Sequence, residues 1–201
     1  MKPPLRDADY REKMRQRLLT VAERLIAEEG LAAVQARRVA SEAGCSVGTV
    51  YNVYGDIDGL VLAANAETLH DLGGALEAVR RRVSGADVED RLMALAVTYL
   101  DFAISNQRRW RAVFEHRLPD GYPTPESYVA DRRALLALIE AELAHAVPDG
   151  EARIDAARAL FSATHGNVLL ALDGKLGDIA PDRCERQIRF LVHHVVSGLS
   201  R

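Results

Sequence analysis

Apolar residues recur every three or four positions along most of this chain, which is the spacing of one face of an α-helix. The first stripe covers residues 18–26 and ends before Gly30. Further helical stripes follow at 58–82, 92–106, 109–115, 135–143, 157–172 and 188–199. No useful stretch alternates apolar and polar residues with a period of two, so no strand is expected. With two short helices described below, the pattern predicts an all-α fold of about nine helices.

Turn-forming residues separate these stripes. Ser84-Gly85 ends the stripe at 58–82, and Pro148-Asp149-Gly150 ends the stripe at 135–143. The strongest loop signal is LPDGYPTP at residues 118–125, which contains three prolines and a glycine. Such clusters favour loops because proline and glycine disrupt regular helices.

Residues 35–54 carry two short helical patterns on either side of Gly44-Cys45-Ser46. Gly44 can adopt the left-handed conformation that ends a helix, and Ser46 can cap the next one. Small apolar residues on both pieces let the two helices cross closely. This arrangement predicts a helix-turn-helix, whose second helix enters the major groove of DNA.

The second of these helices carries side chains suited to DNA. The hydroxyls of Ser46 and Thr49 can reach phosphates or bases, and Gly48 allows close approach to the backbone. Asn52 can bind a base edge. The residues predicted to contact DNA are Arg37, Ser46, Val47, Gly48, Thr49, Tyr51, Asn52 and Tyr54.

The run GCSVGTVYNVY from Gly44 to Tyr54, followed by GDIDGL, resembles the signature of the TetR family of transcriptional regulators. That signature reads Gly, Val, Ser, any, Gly, Thr, Leu, Tyr, any, any, Phe, then a turn and a Leu. Residues 30–33 and 37–40 also match family elements. Arg109-Trp110, the proline-rich loop and residues 164–177 are similar to a subgroup whose ligand domain is marked by Trp, His and Gly.

The resemblance implies a three-helix helix-turn-helix DNA-binding domain at 1–56 and a helical ligand-binding and dimerisation domain at 57–201. The implied partners are double-stranded operator DNA with a palindromic sequence, a small-molecule effector and a second copy of the chain. The implied activity is regulation of transcription, in most relatives repression that the effector relieves.

Three departures from the family pattern bear on DNA affinity. Val47 and Ile57 stand where many relatives have Lys, and Gln35 stands where Ser or Thr caps a helix. Residues 1–60 also hold nine basic and nine acidic side chains, so this segment is neutral. We therefore expect weaker nonspecific DNA binding than in a typical relative, because phosphate contacts release counterions. The alternative is a dimeric small-molecule-binding protein with a degenerate head that no longer binds DNA.

A ligand-responsive regulator needs a cavity whose occupancy favours one conformation. Phe102, Phe114 and Phe161 are candidates that could equally be core residues. His165 lies on an otherwise apolar helix, where an internal hydrogen bond is favoured over a ligand contact. The predicted ligand-binding residues are Tyr99, Phe102, Asn106, Trp110, Phe114, Tyr128, Phe161 and His165.

The last helix carries an apolar stripe over residues 188–199 that needs a partner surface. The resemblance implies that the last two helices pair with those of a second copy. The residues predicted for dimerisation are Leu160, Val168, Ile188, Leu191, Val192, Val195 and Leu199. Gly73-Gly74 interrupts the second long helix, and either a hinge or close packing would explain this pair.

Other functional classes find little support. The six histidines form no HExxH or comparable metal motif, and the chain has no phosphate-binding loop or nucleophile elbow. We therefore expect no enzyme activity, no metal and no cofactor. The net charge of −3 argues against a bulk polyanion binder such as a histone-like protein. Two distant cysteines lead us to expect a cytoplasmic protein, and the absence of an 18-residue apolar run one without a membrane span.

Overall fold

The computed structural model describes residues 5–175, 177 and 180–199, with side chains from residue 8 onward. This part of the chain forms nine α-helices and no strand, which confirms the predicted all-α fold. A single 3₁₀ turn, Leu31–Ala33, follows α1. The α-helices are α1 Leu5–Glu29, α2 Ala36–Glu42, α3 Val47–Tyr54, α4 Ile57–Arg82, α5 Val88–Ser105, α6 Gln107–Glu115, α7 Glu126–Leu143, α8 Gly150–Leu172 and α9 Pro181–Leu199. Leu176 of the predicted 164–177 motif lies outside the described residues.

The chain divides into two compact units, and neither is continuous in sequence. The first unit is Met1–Leu69 with Asn106–Tyr128, and the second is His70–Ser105 with Val129–Arg201. The first unit therefore extends past the functional boundary expected at residue 56 and includes α6. Ala112 of α6 explains this, because it is buried in the same apolar cluster as the α1–α3 helices.

The core of the first unit is a small, fully enclosed apolar cluster. Leu18 and Leu25 of α1 meet Val39 of α2, Val50 of α3 and Leu60 of α4, and none of the five is exposed to solvent. Each buried side chain of this size contributes roughly 1.5–3 kcal/mol through removal of apolar surface from water. The cluster therefore fixes how α2 and α3 cross.

The second unit packs α5 against α8 and α9. Four residues predicted for dimerisation are buried in this protomer, namely Leu160, Val168, Ile188 and Val192. They contribute to the core of the unit, so they are unavailable for direct contact with a second copy. Other helices of the same chain bury this apolar stripe. A periodic pattern in the sequence cannot distinguish such burial from burial against a second copy.

A charged triad also lies in the second unit. The buried Glu142 of α7 accepts hydrogen bonds from Arg80 of α4 and Arg91 of α5, each at 2.5 Å. Burial raises the pKa of Glu142, but the two guanidinium hydrogen bonds outweigh it and hold that pKa below its usual value.

Within the described residues, no helix combines the length and the apolar character needed to cross a membrane.

Candidate nucleic-acid interface

The turn between α2 and α3 has the geometry expected from its sequence. Gly44 has a φ of 64°, in the left-handed region that glycine tolerates best. The Cys45 amide donates to the Ala40 carbonyl at 2.9 Å, and the Gly44 amide donates to the Ser41 carbonyl at 3.1 Å. These two bonds form a Schellman motif, which ends α2 sharply and starts α3.

Two hydroxyl side chains form hydrogen bonds at the start of α3. Ser46 Oγ accepts a hydrogen bond from the Thr49 amide at 3.2 Å and lies 2.9 Å from Thr49 Oγ1. Ser46 is therefore the N-cap of α3, as predicted. Gln35, by contrast, makes no side-chain cap at the start of α2, which agrees with its departure from the family pattern.

The helix α3 has one buried and one exposed face. Val50 is fully buried, and Val47 packs partly against the apolar cluster. Tyr51 is 48% exposed, and Asn52 and Gly48 are also exposed. Together with the exposed Arg37 of α2, these groups form a polar surface free to meet a ligand the size of DNA.

Tyr54 holds the end of α3 to α1. Its hydroxyl donates to the Arg15 carbonyl at 2.8 Å, and the Arg15 guanidinium lies 4.9 Å from the centre of its ring. Burial raises the pKa of Tyr54 to about 12. Arg11 of α1 adds a hydrogen bond to the Asn52 carbonyl at 3.1 Å. The predicted DNA contact at Tyr54 thus falls on a side chain that already positions the helix.

Residues 1–60 are neutral overall, but their charged side chains are unevenly distributed. Residues 43–54 contain no charged side chain. Three acidic residues pair with Arg24 and Arg38 in a network across α1 and α2: Glu28, Glu29 and Glu42. The hydrogen bond from Arg38 is the largest cause of a lowered pKa of Glu29. Meanwhile Arg11 and Arg15 reach the end of α3 from α1.

A close backbone contact joins α3 to α4. Asp56 Oδ1 accepts a hydrogen bond from the Gly59 amide at 2.7 Å and caps the new helix. A β-carbon on Gly59 would lie only 2.3 Å from the Tyr54 carbonyl oxygen. Aspartate is a common N-cap, so the residue type of Asp56 could have indicated the start of α4, but the close approach of Gly59 required the structure.

The loop between α6 and α7 returns to this junction. Tyr122 donates to Asp56 Oδ1 at 2.7 Å, and His116 Nε2 donates to Asp58 Oδ1 at 2.8 Å. The helix α6 is itself held to α4, because the Asn65 side-chain amide of α4 donates to the Ala112 carbonyl at 3.2 Å. Sequence reasoning identified the loop but gave no signal for these partners, since they lie about 60 residues apart.

Comparison with known proteins identifies the family. Residues 18–64 match the bacterial regulatory proteins of the tetR family, and residues 92–195 match the tetracyclin repressor-like C-terminal domain. The chain belongs to the TetR family. Its members are transcriptional regulators that bind DNA and respond to ligands, as the resemblance implied.

Individual proteins agree with this assignment. The HTH-type transcriptional regulator BetI of Burkholderia cenocepacia is 34% identical over 147 residues, covering 71% of this chain and 74% of BetI. The HTH-type regulator Rv0681 of Mycobacterium tuberculosis is 28% identical over 172 residues, covering 86% of this chain and 74% of Rv0681. A protein of unknown function from Rhodococcus sp. RHA1 shares the fold with a TM-score of 0.73 at 23% identity, covering 94% and 96% of the two chains.

The residues predicted to bind the effector of this TetR-family regulator fall into both compact units. The first unit contains Asn106, Trp110, Phe114 and Tyr128. Trp110 and Tyr128 are buried, while Phe114 is exposed and lies 5.3 Å from Trp110 between ring centres. Three of these residues thus lie in α6 or at its start, and α6 packs against α1 of the first unit.

The second unit brings together the other predicted ligand residues on α5 and α8. Tyr99 Oη and His165 Nδ1 are in hydrogen-bond contact at 2.6 Å. Phe161 packs edge-on to Tyr99 at 5.7 Å and lies 5.7 Å from His165. The internal hydrogen bond favoured for His165 is present, and burial lowers the pKa of this imidazole. Phe102 is half-buried on the same helix as Tyr99.

Proposed function

We propose that this chain is a repressor that binds palindromic operator DNA as a homodimer and is released by a small-molecule effector. The observation that carries the proposal is the exposed polar face of α3, set on a capped and clamped framework. In this proposal residues 1–56 contact the operator, residues 57–201 bind the effector and the second copy, and the protein acts in the cytoplasm, where bacterial DNA lies.

Direct contacts to DNA are assigned to the most accessible side chains. Asn52 is positioned to bind a base edge, and Tyr51 to bind a phosphate or base. Arg37 and the start of α3 at Gly48 approach the phosphates, where a helix N-terminus favours negative charge. Val47, Ser46 and Thr49 complete the contact face, and Tyr54 serves chiefly to orient it.

The effector site is assigned to the cluster of Tyr99, Phe161 and His165, with Phe102 beside it. Aromatic walls and one hydrogen-bonded polar pair suit a mostly apolar, uncharged molecule with a single polar group. A lowered pKa keeps His165 neutral, so the imidazole can exchange its hydrogen bond with Tyr99 for one with such a ligand. Thermal-shift screening of uncharged aromatic and aliphatic compounds against the protein and a His165→Ala variant tests this assignment.

Dimerisation is assigned to the outer faces of α8 and α9. Of the residues predicted for it, Leu191, Val195 and Leu199 remain partly exposed. Phe190 of α9 is 66% exposed, and Leu170 of α8 is also exposed. Gly166 and Gly198 have open space at the β-carbon position, which allows another backbone to approach.

Selection of random duplex DNA on the purified protein, at low and at physiological salt, tests the DNA-binding proposal. We expect a palindrome to be enriched by the unaltered protein and lost by Tyr51→Ala and Asn52→Ala variants. Ser127→Ala, which removes an exposed hydroxyl of α7, serves as the control and should select the same sequence. Enrichment of no sequence at either salt concentration would instead favour the dimeric ligand-binding protein with a degenerate head.

A further inference from the structure

The loop at residues 116–122 is hydrogen-bonded to the start of α4 in the DNA-binding head. Two of its side chains reach Asp56 and Asp58, the acidic residues on either side of Ile57. We propose that Tyr122 and His116 are positioning residues for DNA binding, which hold the α3–α4 junction in the arrangement that presents α3 to the operator. This inference rests on the proposed function.

The geometry of Asp56 shows how the loop acts on α3. One carboxylate oxygen, Oδ1, accepts from both the Gly59 amide and the Tyr122 hydroxyl, each at 2.7 Å. Only Gly55 separates Asp56 from Tyr54, the last residue of α3. Because Gly59 lies directly against the Tyr54 carbonyl, the junction has no room to slide. A shift of Asp56 is therefore transmitted to the end of α3.

Charge gives the loop a second effect. Asp56 and Asp58 place two carboxylates one turn from the helix that meets DNA phosphates, where free negative charge would weaken binding. Tyr122 and His116 each direct a hydrogen-bond donor at one of them. Burial, aided by the bond to Asp56, raises the pKa of Tyr122 to about 12, so its hydroxyl keeps its proton. His116 is almost fully buried beside Asp58, whose side chain is 28% exposed.

The helix α6, from which the loop leaves, is held to α1 and α4. Arg108 of α6 donates to the Glu28 carbonyl at the end of α1, and Asn65 of α4 donates to the Ala112 carbonyl. Asn65 Oδ1 has no hydrogen-bond partner among the described residues, although it is buried. The anchoring of α6 thus uses only the NH2 group of the Asn65 amide, and His116 and Tyr122 add polar links to the start of α4.

The test is a measurement of operator affinity by fluorescence anisotropy, with the selected palindrome and at a temperature where every variant is folded. Tyr122→Phe keeps the ring and removes only the hydroxyl. We expect it to weaken binding about three- to tenfold, the equivalent of one net hydrogen bond, without changing the selected sequence. His116→Ala should weaken binding by a similar factor, and Ser127→Ala should leave it unchanged.

A double-mutant cycle separates positioning from a general loss of stability. Asp56→Ser retains an N-cap for α4 but is too short to reach Tyr122. We expect Tyr122→Phe to have little further effect on operator affinity in the Asp56→Ser background.

Two results would overturn the inference while leaving the proposed function intact: operator affinity within about twofold of the unaltered protein for both single variants, or fully additive effects in the cycle. Failure of the unaltered protein to select any DNA would overturn the proposed function, and this inference with it.

Discussion

Two glycines on α4, Gly59 and Gly74, differ in what a β-carbon would meet. At Gly59 it would lie 2.3 Å from the Tyr54 carbonyl oxygen, whereas at Gly74 nothing in the described structure lies within 4 Å. Neither glycine has a positive φ, so the difference is one of space and not of backbone conformation. The same substitution should therefore have opposite effects at the two positions.

We expect Gly59→Ala to lower the free energy of unfolding by about 1–3 kcal/mol, because the added methyl group forces α3 and α4 apart. Gly74→Ala is the matched control and should raise it by up to about 1 kcal/mol, since alanine favours a helix. Urea denaturation of the two variants measures both changes. A stable Gly59→Ala protein with unaltered operator affinity would contradict the close approach.

Sequence reasoning worked at single residues whose role is local. Gly44 and Ser46 were correctly predicted because a helix end and a helix cap depend on residues only a few positions away. The close contact of Gly59 and the partners of Tyr122 and His116 were missed for the opposite reason. Each depends on chain segments brought together by the fold, which a capping pattern or a proline-rich loop does not specify.

At the scale of the helices, α3 depends on α1 for its orientation. Tyr51 and Tyr54 lie one turn apart on α3, yet only Tyr54 has its hydroxyl bonded to the Arg15 carbonyl. Tyr51 is exposed instead. Variants of Tyr51 and Tyr54 can therefore distinguish an effect on the folding stability of α3 from an effect on DNA binding.

Removal of the two hydroxyls should have contrasting results. We expect Tyr54→Phe to reduce the free energy of unfolding by about 1 kcal/mol through the lost hydrogen bond. Tyr51→Phe should change it by less than about 0.5 kcal/mol, as for other surface substitutions, while weakening operator binding. Chemical denaturation and anisotropy on the same samples give both quantities. Equal stability losses in the two variants would show that α1 does not restrain α3 through Tyr54.

Helix positions were easier to predict from the sequence than helix neighbours. The helix α4 runs unbroken through Gly73 and Gly74, and a β-carbon on Gly73 would meet Leu135 at 3.4 Å. Packing is therefore supported at Gly73, while the hinge remains a prediction. The stripe on α9 was also found correctly, but Ile188 and Val192 proved to face the protomer's own core. Periodicity identifies an apolar face and says nothing about what covers it.

At the scale of the whole molecule, the outer face of α9 carries Phe190, the most exposed large hydrophobic side chain among the described residues. The Phe190 ring stacks on His194, with 4.0 Å between ring centres, and remains 66% exposed. Burial of this pair against a second copy would remove that apolar surface from water. A charge placed there would have to be buried without a partner.

If α9 forms the proposed dimer interface, Phe190→Glu converts the proposed dimer to a monomer in analytical ultracentrifugation. Its affinity for the palindrome should fall roughly a hundredfold or more, because two linked heads bind far more tightly than one. Ile104→Glu makes the same kind of change at an exposed position of α5 and should leave the dimer intact. A Phe190→Glu dimer of normal affinity would place the interface elsewhere.

The inclusion of α6 in the first compact unit has a consequence for engineering. A chimera that joins residues 1–56 to another sensor would remove Leu60, Val61, Ala64 and Ala112 from the apolar cluster and uncover the side chains that pack against them. Exchange points at residues 69, 106 and 128 keep that cluster whole. The transplantable part of this regulator is therefore discontinuous, and a fusion that keeps it whole has to supply the foreign sensor in two segments, one between residues 69 and 106 and one after residue 128.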